Sequence, residues 1–320
     1  MEETTETKKE NPTFIKSNIN LLMICSGMLG FIIIICLFFF EDIFTGTHSI
    51  NTGEVKRNLF FNYHPTYLLL LANAILQGTL WGIFIFPATA IISRIRKEHG
   101  DKPKIWMTFF VLLSALAAVF IALSITIFQY LTLPISVYYH NGVKDMIFIG
   151  MALSMGLYFL IGIVIVGKKC SNNIALGDYD ITGYRRLRGY QDLLLNLTGV
   201  ILSLGVISAI LYHKAFIEAG GSPDQFPAEF VLLFGFFNTL LLLIFYLPNY
   251  FIMLDYGRRI VESRYPLEEK NKEVVSANFE NQNRLSKNLK LDLTFTESVK
   301  KSLLILSPLL SSLLSRLFDL

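Results

Sequence analysis

The sequence predicts an all-α integral membrane protein with six transmembrane helices and a cytoplasmic, amphipathic C-terminal tail. Hydrophobic residues make up 53% of the 320 residues and charged residues only 17%, whereas soluble domains carry about 25% charged residues. The apolar residues are gathered into uncharged blocks that are long enough to cross a bilayer. The basic residues between the blocks alternate in number from one loop to the next, as expected when successive loops lie on opposite sides of a membrane.

The chain begins with a polar segment, residues 1–16, which we expect in the cytoplasm, and continues into an apolar block at 17–40. A cleaved signal peptide is the competing interpretation of this block. The block is longer than the apolar part of a typical signal peptide, and no small-residue cleavage site follows it. We therefore predict that residues 17–40 form a retained transmembrane helix.

The second and third spans are predicted at 67–93 and 105–133. The third belongs to a stretch without Asp, Glu, Lys or Arg from Ile105 to Val143, which is long enough to raise the question of two crossings. The middle of this stretch, LSALAAVFIALSI, contains no Gly, Pro or charge for a turn, so a single tilted span is predicted. Pro134 is expected to end this span because proline lacks the N–H that a helix interior needs. The aromatic sequence SVYYHNG that follows is predicted to be a loop at the membrane interface.

Three further uncharged blocks predict spans at 146–167, 193–213 and 230–254, each bounded by charged residues. The six spans together form a predicted transmembrane domain at 17–254. Residues 255–320 then form the predicted cytoplasmic tail.

Lys and Arg residues determine the predicted orientation. Sixteen of them lie in the N-terminal segment, in the loops after spans two and four and directly after span six, against four in the other three loops. Because loops rich in Lys and Arg stay in the cytoplasm, we expect both termini there. The layout is typical of bacterial inner-membrane proteins, so we predict the cytoplasmic (inner) membrane of a bacterium as the location and the lipid bilayer as a partner.

The tail is predicted to end in a leucine-rich amphipathic helix at 296–320. Its uncharged part, Ser302–Ser315, is too short to span a bilayer, so we expect it to lie in the interface, dock on a partner or pack under the spans. Pro308 is predicted to interrupt the helix, with Ser307 as the cap of a second short helix. Leucines at the 3–4 spacing of a coiled-coil seam form a predicted interaction stripe for a homo-oligomer or a membrane-protein partner. They are Leu303, Leu306, Leu310, Leu313 and Leu317.

A hinge between the spans and the tail is predicted at Pro248 and Asn249, near the inner end of the sixth span. Proline weakens a helix by removing one backbone hydrogen bond. A kink at this point is expected to direct the tail back along the membrane surface.

No Asp, Glu, Lys or Arg lies inside any of the six predicted spans. Proton-coupled transporters and pumps usually place ionisable groups there, so this class of function is disfavoured. The spans carry amides instead, which either form hydrogen bonds between helices or converge on a path for a neutral solute. A weak similarity between spans two and five, read as an inverted repeat, would make Asn73 and Asn196 near-equivalent. The candidate solute-path residues are Asn73, Gln77, Asn196 and Asn238.

Other function classes lack a signal in the sequence. No protease, hydrolase or nucleotide-binding motif is present, so we expect neither enzymatic activity nor a cofactor. The basic residues lack the aromatic interleaving of a nucleic-acid surface. Four histidines map singly to the predicted outer side amid tyrosines, and an interfacial belt explains them better than a metal site. These are His48, His64, His140 and His213.

Two interpretations remain open for the basic loop that follows the fourth span. Its arginines contact lipid headgroups, or it docks the tail or a partner while Asp178 and Asp180 pair with arginines. Cys170 is placed in this loop, and all three cysteines are interpreted as small hydrophobic residues, since no disulfide framework can be drawn.

Two functions are expected from these observations. The first is a non-catalytic membrane component that self-associates or docks partners through its tail. The alternative is a channel or carrier for a neutral or apolar solute.

Overall fold

The computed structural model describes residues 12–36, 65–97, 135–218, 224, 227–267, 272–291 and 295–317. Within these ranges the chain is 93% helical and has no strands, which confirms the all-α fold class. The helices are α1 (Pro12–Ile35), α2 (Pro65–Lys97), α3 (Ile135–Leu176), α4 (Ile181–Glu218), α5 (Ala228–Arg264), α6 (Lys272–Asn288) and α7 (Phe295–Leu317).

Four helical segments are long and apolar enough to cross a membrane: Leu68–Ile95, Ser154–Leu176, Ile181–Ala215 and Ala228–Arg264. They correspond to the predicted spans two, four, five and six. In α1 the apolar helical part, Leu22–Ile35, is shorter than a span. The predicted third span at 105–133 lies outside the described residues, so the number six stays a prediction.

The aromatic loop predicted after Pro134 is wrong, because α3 already begins at Ile135. A proline directly before the first helical turn leaves no hydrogen bond unmade, since the first N–H groups of a helix have no partner within it. The helix then continues through the charged boundary into the apolar stretch of the fourth span.

The basic loop predicted after the fourth span is mostly helical. Between α3 and α4 the chain makes only a short turn, in which Gly177 adopts a positive φ of 67°, a conformation that glycine takes without strain. The Asp180 carboxylate caps α4 by accepting hydrogen bonds from the backbone N–H groups of Thr182 at 3.0 Å and Gly183 at 2.7 Å. Asp180 therefore caps a helix, and Cys170 lies inside α3.

The helices pack as a bundle around α4 and α5. α1 packs on α2, and α2 contacts both α3 and α4. α3, α4 and α5 contact one another, α7 lies against α4 and α5, and α6 contacts α5. Most of the buried apolar side chains of these helices belong to one continuous core.

Small residues bring α1 and α2 into close contact. A Cβ atom at Gly78 would overlap Ile34, and one at Gly30 would overlap the Gly78 backbone. A Cβ atom at Gly82 would likewise meet the backbone of Ser26. Gly78 and Gly82 form the small-xxx-small pattern that allows transmembrane helices to approach closely, and this pattern is visible in the sequence.

The C-terminal helix α7 lies alongside the apolar helices α4 and α5. Of the placements predicted for it, packing under the ends of the spans does not match this position. Leu304 fills the space over Gly199 of α4, and Ser312 lies against Gly235 in the first two turns of α5. The hydroxyls of Ser203 and Ser307 are 2.7 Å apart. These contacts make α7 parallel to α4 and antiparallel to α5.

The predicted break at Pro308 is also wrong, because α7 is continuous through this residue. Pro308 has no N–H for the carbonyl oxygen of Leu304, four residues earlier. The Ser307 hydroxyl donates to that oxygen at 2.7 Å. The side chain predicted to cap a new helix therefore replaces the backbone hydrogen bond that proline removes.

Candidate functional site

Two of the four candidate solute-path residues form hydrogen bonds between α2 and α4. Asn73 and Gln77, one turn apart on α2, both donate to the Ser208 hydroxyl of α4 at 2.7 Å. They also donate to the Leu204 carbonyl oxygen, Asn73 at 3.3 Å and Gln77 at 2.8 Å. This arrangement favours the interpretation of these amides as contacts between helices.

The other two candidates do not join this group. Asn196 is exposed on α4, whereas Asn238 is buried on α5. Asn73 and Asn196 thus have unlike surroundings, and nothing in their contacts supports an inverted repeat. Within the described part of the chain, neither side-chain polar atom of Asn238 has a hydrogen-bond partner.

Asn238 belongs to a column of polar groups on the buried face of α5. Thr239 and Tyr246 lie on the same face, and their hydroxyls also lack hydrogen-bond partners among the described residues. Buried polar groups are nearly always hydrogen-bonded in folded proteins, so these groups call for a polar ligand or water. Thr239 and Tyr246 were not among the predicted site residues, although their spacing of seven residues places them on one helix face.

The two predicted hinge residues lie inside α5, which is continuous from Ala228 to Arg264. The Asn249 side chain donates to the Phe245 carbonyl oxygen at 2.6 Å. Asn249 also fits against Gly167 of α3, where a Cβ atom would overlap it. These contacts support the helix around Pro248, and α5 ends only at Arg264.

A second polar group lies at the other end of α4. Arg188 is 8% exposed, and its Nη1 donates to the Tyr184 hydroxyl at 3.0 Å and to the Leu289 carbonyl oxygen at 2.7 Å. Leu289 directly follows α6, so Arg188 fixes the connection between α6 and α7 to the bundle. The segment that was predicted as a basic loop therefore contacts the tail through the Arg188 guanidinium and the Leu289 carbonyl oxygen.

Aromatic hydroxyls order the same region. Tyr184 packs edge-on against Tyr256, with ring centroids 5.8 Å apart. The Tyr256 hydroxyl donates to the Asp178 carbonyl oxygen at 3.0 Å and accepts from the Asn173 amide at 3.1 Å. The turn between α3 and α4 is thereby connected to α5.

An ion pair joins α7 to α4 nearby. Lys301 Nζ lies 2.7 Å from Asp192 Oδ1 and 5.6 Å from the centroid of the Tyr250 ring. Tyr250 in turn stacks on Tyr246 at a centroid distance of 5.6 Å. The polar column of α5 therefore reaches the ion pair between α4 and α7.

The predicted leucine stripe lies on the outward face of α7. Its first residue, Leu303, is 52% exposed, and the next three leucines are also exposed. The side chain of Leu317 lies outside the described residues. The inward face consists of Leu304, Ser307, Pro308 and Ser312, which contact α4 and α5. We call Leu303, Leu306, Leu310 and Leu313 the leucine face.

The thiols and imidazoles form no recognisable site in the part of the chain that the structure describes. Cys25 and Cys36 are exposed, and Cys170 is buried with its Sγ 3.6 Å from the Met253 sulfur. Among the described residues no group of three or more His, Cys, Asp or Glu side chains is placed to hold a metal ion. The side chains of His48, His64 and His140 lie outside the described residues.

A scan against protein-family models and searches of curated proteins and solved structures find no match for this chain. The geometry of the chain itself therefore carries the functional interpretation.

Proposed function

We propose that this protein is a non-catalytic, multi-pass component of a bacterial inner membrane that self-associates through the leucine face of α7. The observation that carries this proposal is the division of α7 into two faces. The face formed by Leu304, Ser307, Pro308 and Ser312 is packed against α4 and α5, and the leucine face is left outward.

The spacing of the leucine face suits a second copy of the same helix. Leucines separated by three and four residues form the seam of a helix pair, in which each side chain fits between those of the other helix. The outward face of α5 differs, because it mixes Leu and Ile with bulky Phe236, Phe237 and Phe251. Such a mixed surface is suited to lipid, whereas the uniform leucine face is suited to interdigitation.

The test compares oligomer size in a nonionic detergent and in nanodiscs, by light scattering and native mass spectrometry. The triple variant Leu306→Ala, Leu310→Ala, Leu313→Ala should dissociate, because each truncation removes about 1 kcal/mol of packing. Three such losses weaken association by roughly two orders of magnitude. The matched control is Leu240→Ala with Leu247→Ala, two exposed leucines of α5. A monomeric wild type, or a triple variant with unchanged oligomer size, would refute self-association.

The column of Asn238, Thr239 and Tyr246 favours a second function, a channel or carrier for a neutral solute. Unpartnered amide and hydroxyl groups stacked along a buried helix face can replace the hydration shell of a polar, uncharged molecule. Asn73 and Gln77 contribute less to this function, because their amide nitrogens are already bound to α4.

The transport function is tested in proteoliposomes by stopped-flow light scattering, with glycerol and urea as probes. Wild-type protein should accelerate solute entry over empty liposomes, and Asn238→Leu with Thr239→Val should abolish the acceleration. Ser171→Ala, at an exposed position of α3, is the control. Equal rates for wild-type and empty liposomes would exclude both probes as solutes and remove the support for this function.

A further inference from the structure

Arg188 is a buried cation whose observed acceptors are neutral. Both hydrogen bonds from Nη1 go to uncharged oxygens, the Tyr184 hydroxyl and the Leu289 carbonyl. Among the described residues, no carboxylate lies within ion-pair distance of this guanidinium. A guanidinium taken out of water is stabilised best by an anion that accepts two hydrogen bonds at once.

Two unused hydrogen-bond donors accompany Arg188. Gln191 lies on the next turn of the same face of α4. The Tyr246 ring stacks on Tyr250, whose ring lies 5.6 Å from the Lys301 ammonium that pairs with Asp192, the residue after Gln191. Both side chains are more than nine-tenths buried, and Gln191 Nε2 and Tyr246 Oη have no hydrogen-bond partner in the described ranges. Because Arg188 and Gln191 Nε2 can only donate and the Tyr246 hydroxyl has its proton to offer, the missing group is an acceptor.

The surrounding charges add to this preference. Asp192, the carboxylate that also acts on Tyr246, is already neutralised by Lys301. Arg258 lies within electrostatic range of Tyr250, the neighbour of Tyr246. The region therefore keeps an excess of positive charge that favours an anion.

The position along α4 indicates the source of the anion. Asp192 marks the boundary of the uncharged block 193–213, and Arg188 lies one turn beyond it. This is the level at which lipid headgroups meet a membrane protein. Leu247 and Phe251 are exposed on α5 beside this level and can contact an acyl chain, a contact that free phosphate cannot make.

We propose that Arg188, Gln191 and Tyr246 form a binding site for the phosphate group of an anionic phospholipid. The Leu289 carbonyl occupies Arg188 in the structure described here, and a phosphate oxygen replaces it when the lipid binds. Lipid binding therefore releases the connection between α6 and α7 from α4. The site is independent of the proposed self-association, since none of its residues belongs to the leucine face.

Native mass spectrometry of the full-length protein tests this site. The protein in neutral detergent is titrated with phosphatidylglycerol, with phosphatidylcholine and with inorganic phosphate. Phosphatidylglycerol should bind at least about tenfold more tightly to wild type than to Arg188→Gln, because the guanidinium supplies the charge and the paired donors. Arg185→Gln removes the same charge from an exposed position of α4 and should leave the affinity within about twofold.

If Arg188→Gln does not fold, two variants with smaller chemical changes test the same site. Tyr246→Phe and Gln191→Leu each remove one donor, and each should weaken phosphatidylglycerol binding about threefold or more while the melting temperature in detergent is preserved. Equal affinities for wild type and these variants would overturn the site. Equal affinities for phosphatidylglycerol and phosphatidylcholine, or saturation by inorganic phosphate at the same concentration as phosphatidylglycerol, would overturn its assignment to an anionic lipid.

Hydrogen exchange tests the release of the connection. The N–H of Leu289 is bonded to the Leu285 carbonyl, and that of Leu291 to the Ser286 carbonyl. Half-saturating phosphatidylglycerol should accelerate exchange at these two amides in wild type, and the acceleration should be smaller in Tyr246→Phe at the same lipid concentration. Exchange that stays constant in wild type while the lipid is bound would contradict the competition with the Leu289 carbonyl.

Discussion

Asn73, Gln77 and Ser208 show at the scale of single residues how polar side chains join α2 to α4. The two amides converge on one hydroxyl and one carbonyl oxygen. Hydrogen bonds between transmembrane helices contribute about 0.6–2 kcal/mol each. The hydrogen bonds of Asn73 and Gln77 therefore contribute measurably to holding α2 against α4.

Ser208→Ala should lower stability by about 1–2 kcal/mol, because the buried Gln77 amide and the partly buried Asn73 amide lose their shared acceptor. Thermal unfolding in detergent measures the change, and Ser171→Ala on the exposed side of α3 is the control. A double-mutant cycle with Gln77→Leu should give a coupling free energy of about 0.6–1.7 kcal/mol. A coupling free energy near zero would show that the contact does not hold α2 to α4.

The sequence indicates these polar residues but not which of them meet. Asn73, Gln77, Asn196 and Asn238 look alike as amides in apolar blocks, yet one is exposed, two bind α4 and one has no partner among the described residues. Which helices become neighbours decides between these outcomes, and hydropathy carries no information about neighbours. Arg188 was assigned to a loop for a similar reason, since charge suggests exposure while tertiary packing buries it.

At the scale of helices, four of the six predicted spans coincide with helices that are long and apolar enough to cross a membrane, but the charged boundaries do not mark the ends of these helices. The described helices run past the charges because capping and packing extend them, as Asp180 does at the start of α4. The two prolines that were predicted to bend or interrupt a helix also fail to mark helix ends. Pro248 and Pro308 both lie within continuous helices, where side-chain hydrogen bonds from Asn249 and Ser307 support the neighbouring turn.

Ser307→Ala should therefore destabilise α7 by about 1 kcal/mol while Pro308 is present. In a Pro308→Ala background the cost should fall, because the N–H of the new residue then bonds the Leu304 carbonyl oxygen. Unfolding free energies of the four proteins, measured by titration with a denaturing detergent, give the comparison. A Ser307→Ala cost that is the same in both backgrounds would show that the hydroxyl does not compensate for the proline.

At the scale of the whole molecule, the inward face of α7 follows the rule for helices in lipid. Small residues allow close packing between helices, whereas large apolar residues remain at the outside. In a soluble protein the leucine face of an amphipathic helix is the face that is buried. That rule would bury the leucine face of α7 against the ends of the spans. The contacts of α7 with Gly199 and Gly235 instead place this helix at the depth of α4 and α5, with its end directed toward the start of α5.

This arrangement predicts different surroundings for the two tail helices. We expect α7 to lie within the bilayer and α6, which precedes it, to lie in water. Single cysteines are introduced after Cys25, Cys36 and Cys170 are replaced by alanine, and a membrane-impermeant maleimide is the probe. The Glu280→Cys variant, at an exposed position of α6, should react in inside-out vesicles and not in intact cells if the predicted orientation, with the tail in the cytoplasm, is correct. The Leu313→Cys variant should react in neither preparation until detergent is added, because its side chain contacts lipid or a second copy. Equal labelling of the two variants in vesicles would place α7 on the membrane surface, and labelling of Glu280→Cys in intact cells would reverse the orientation.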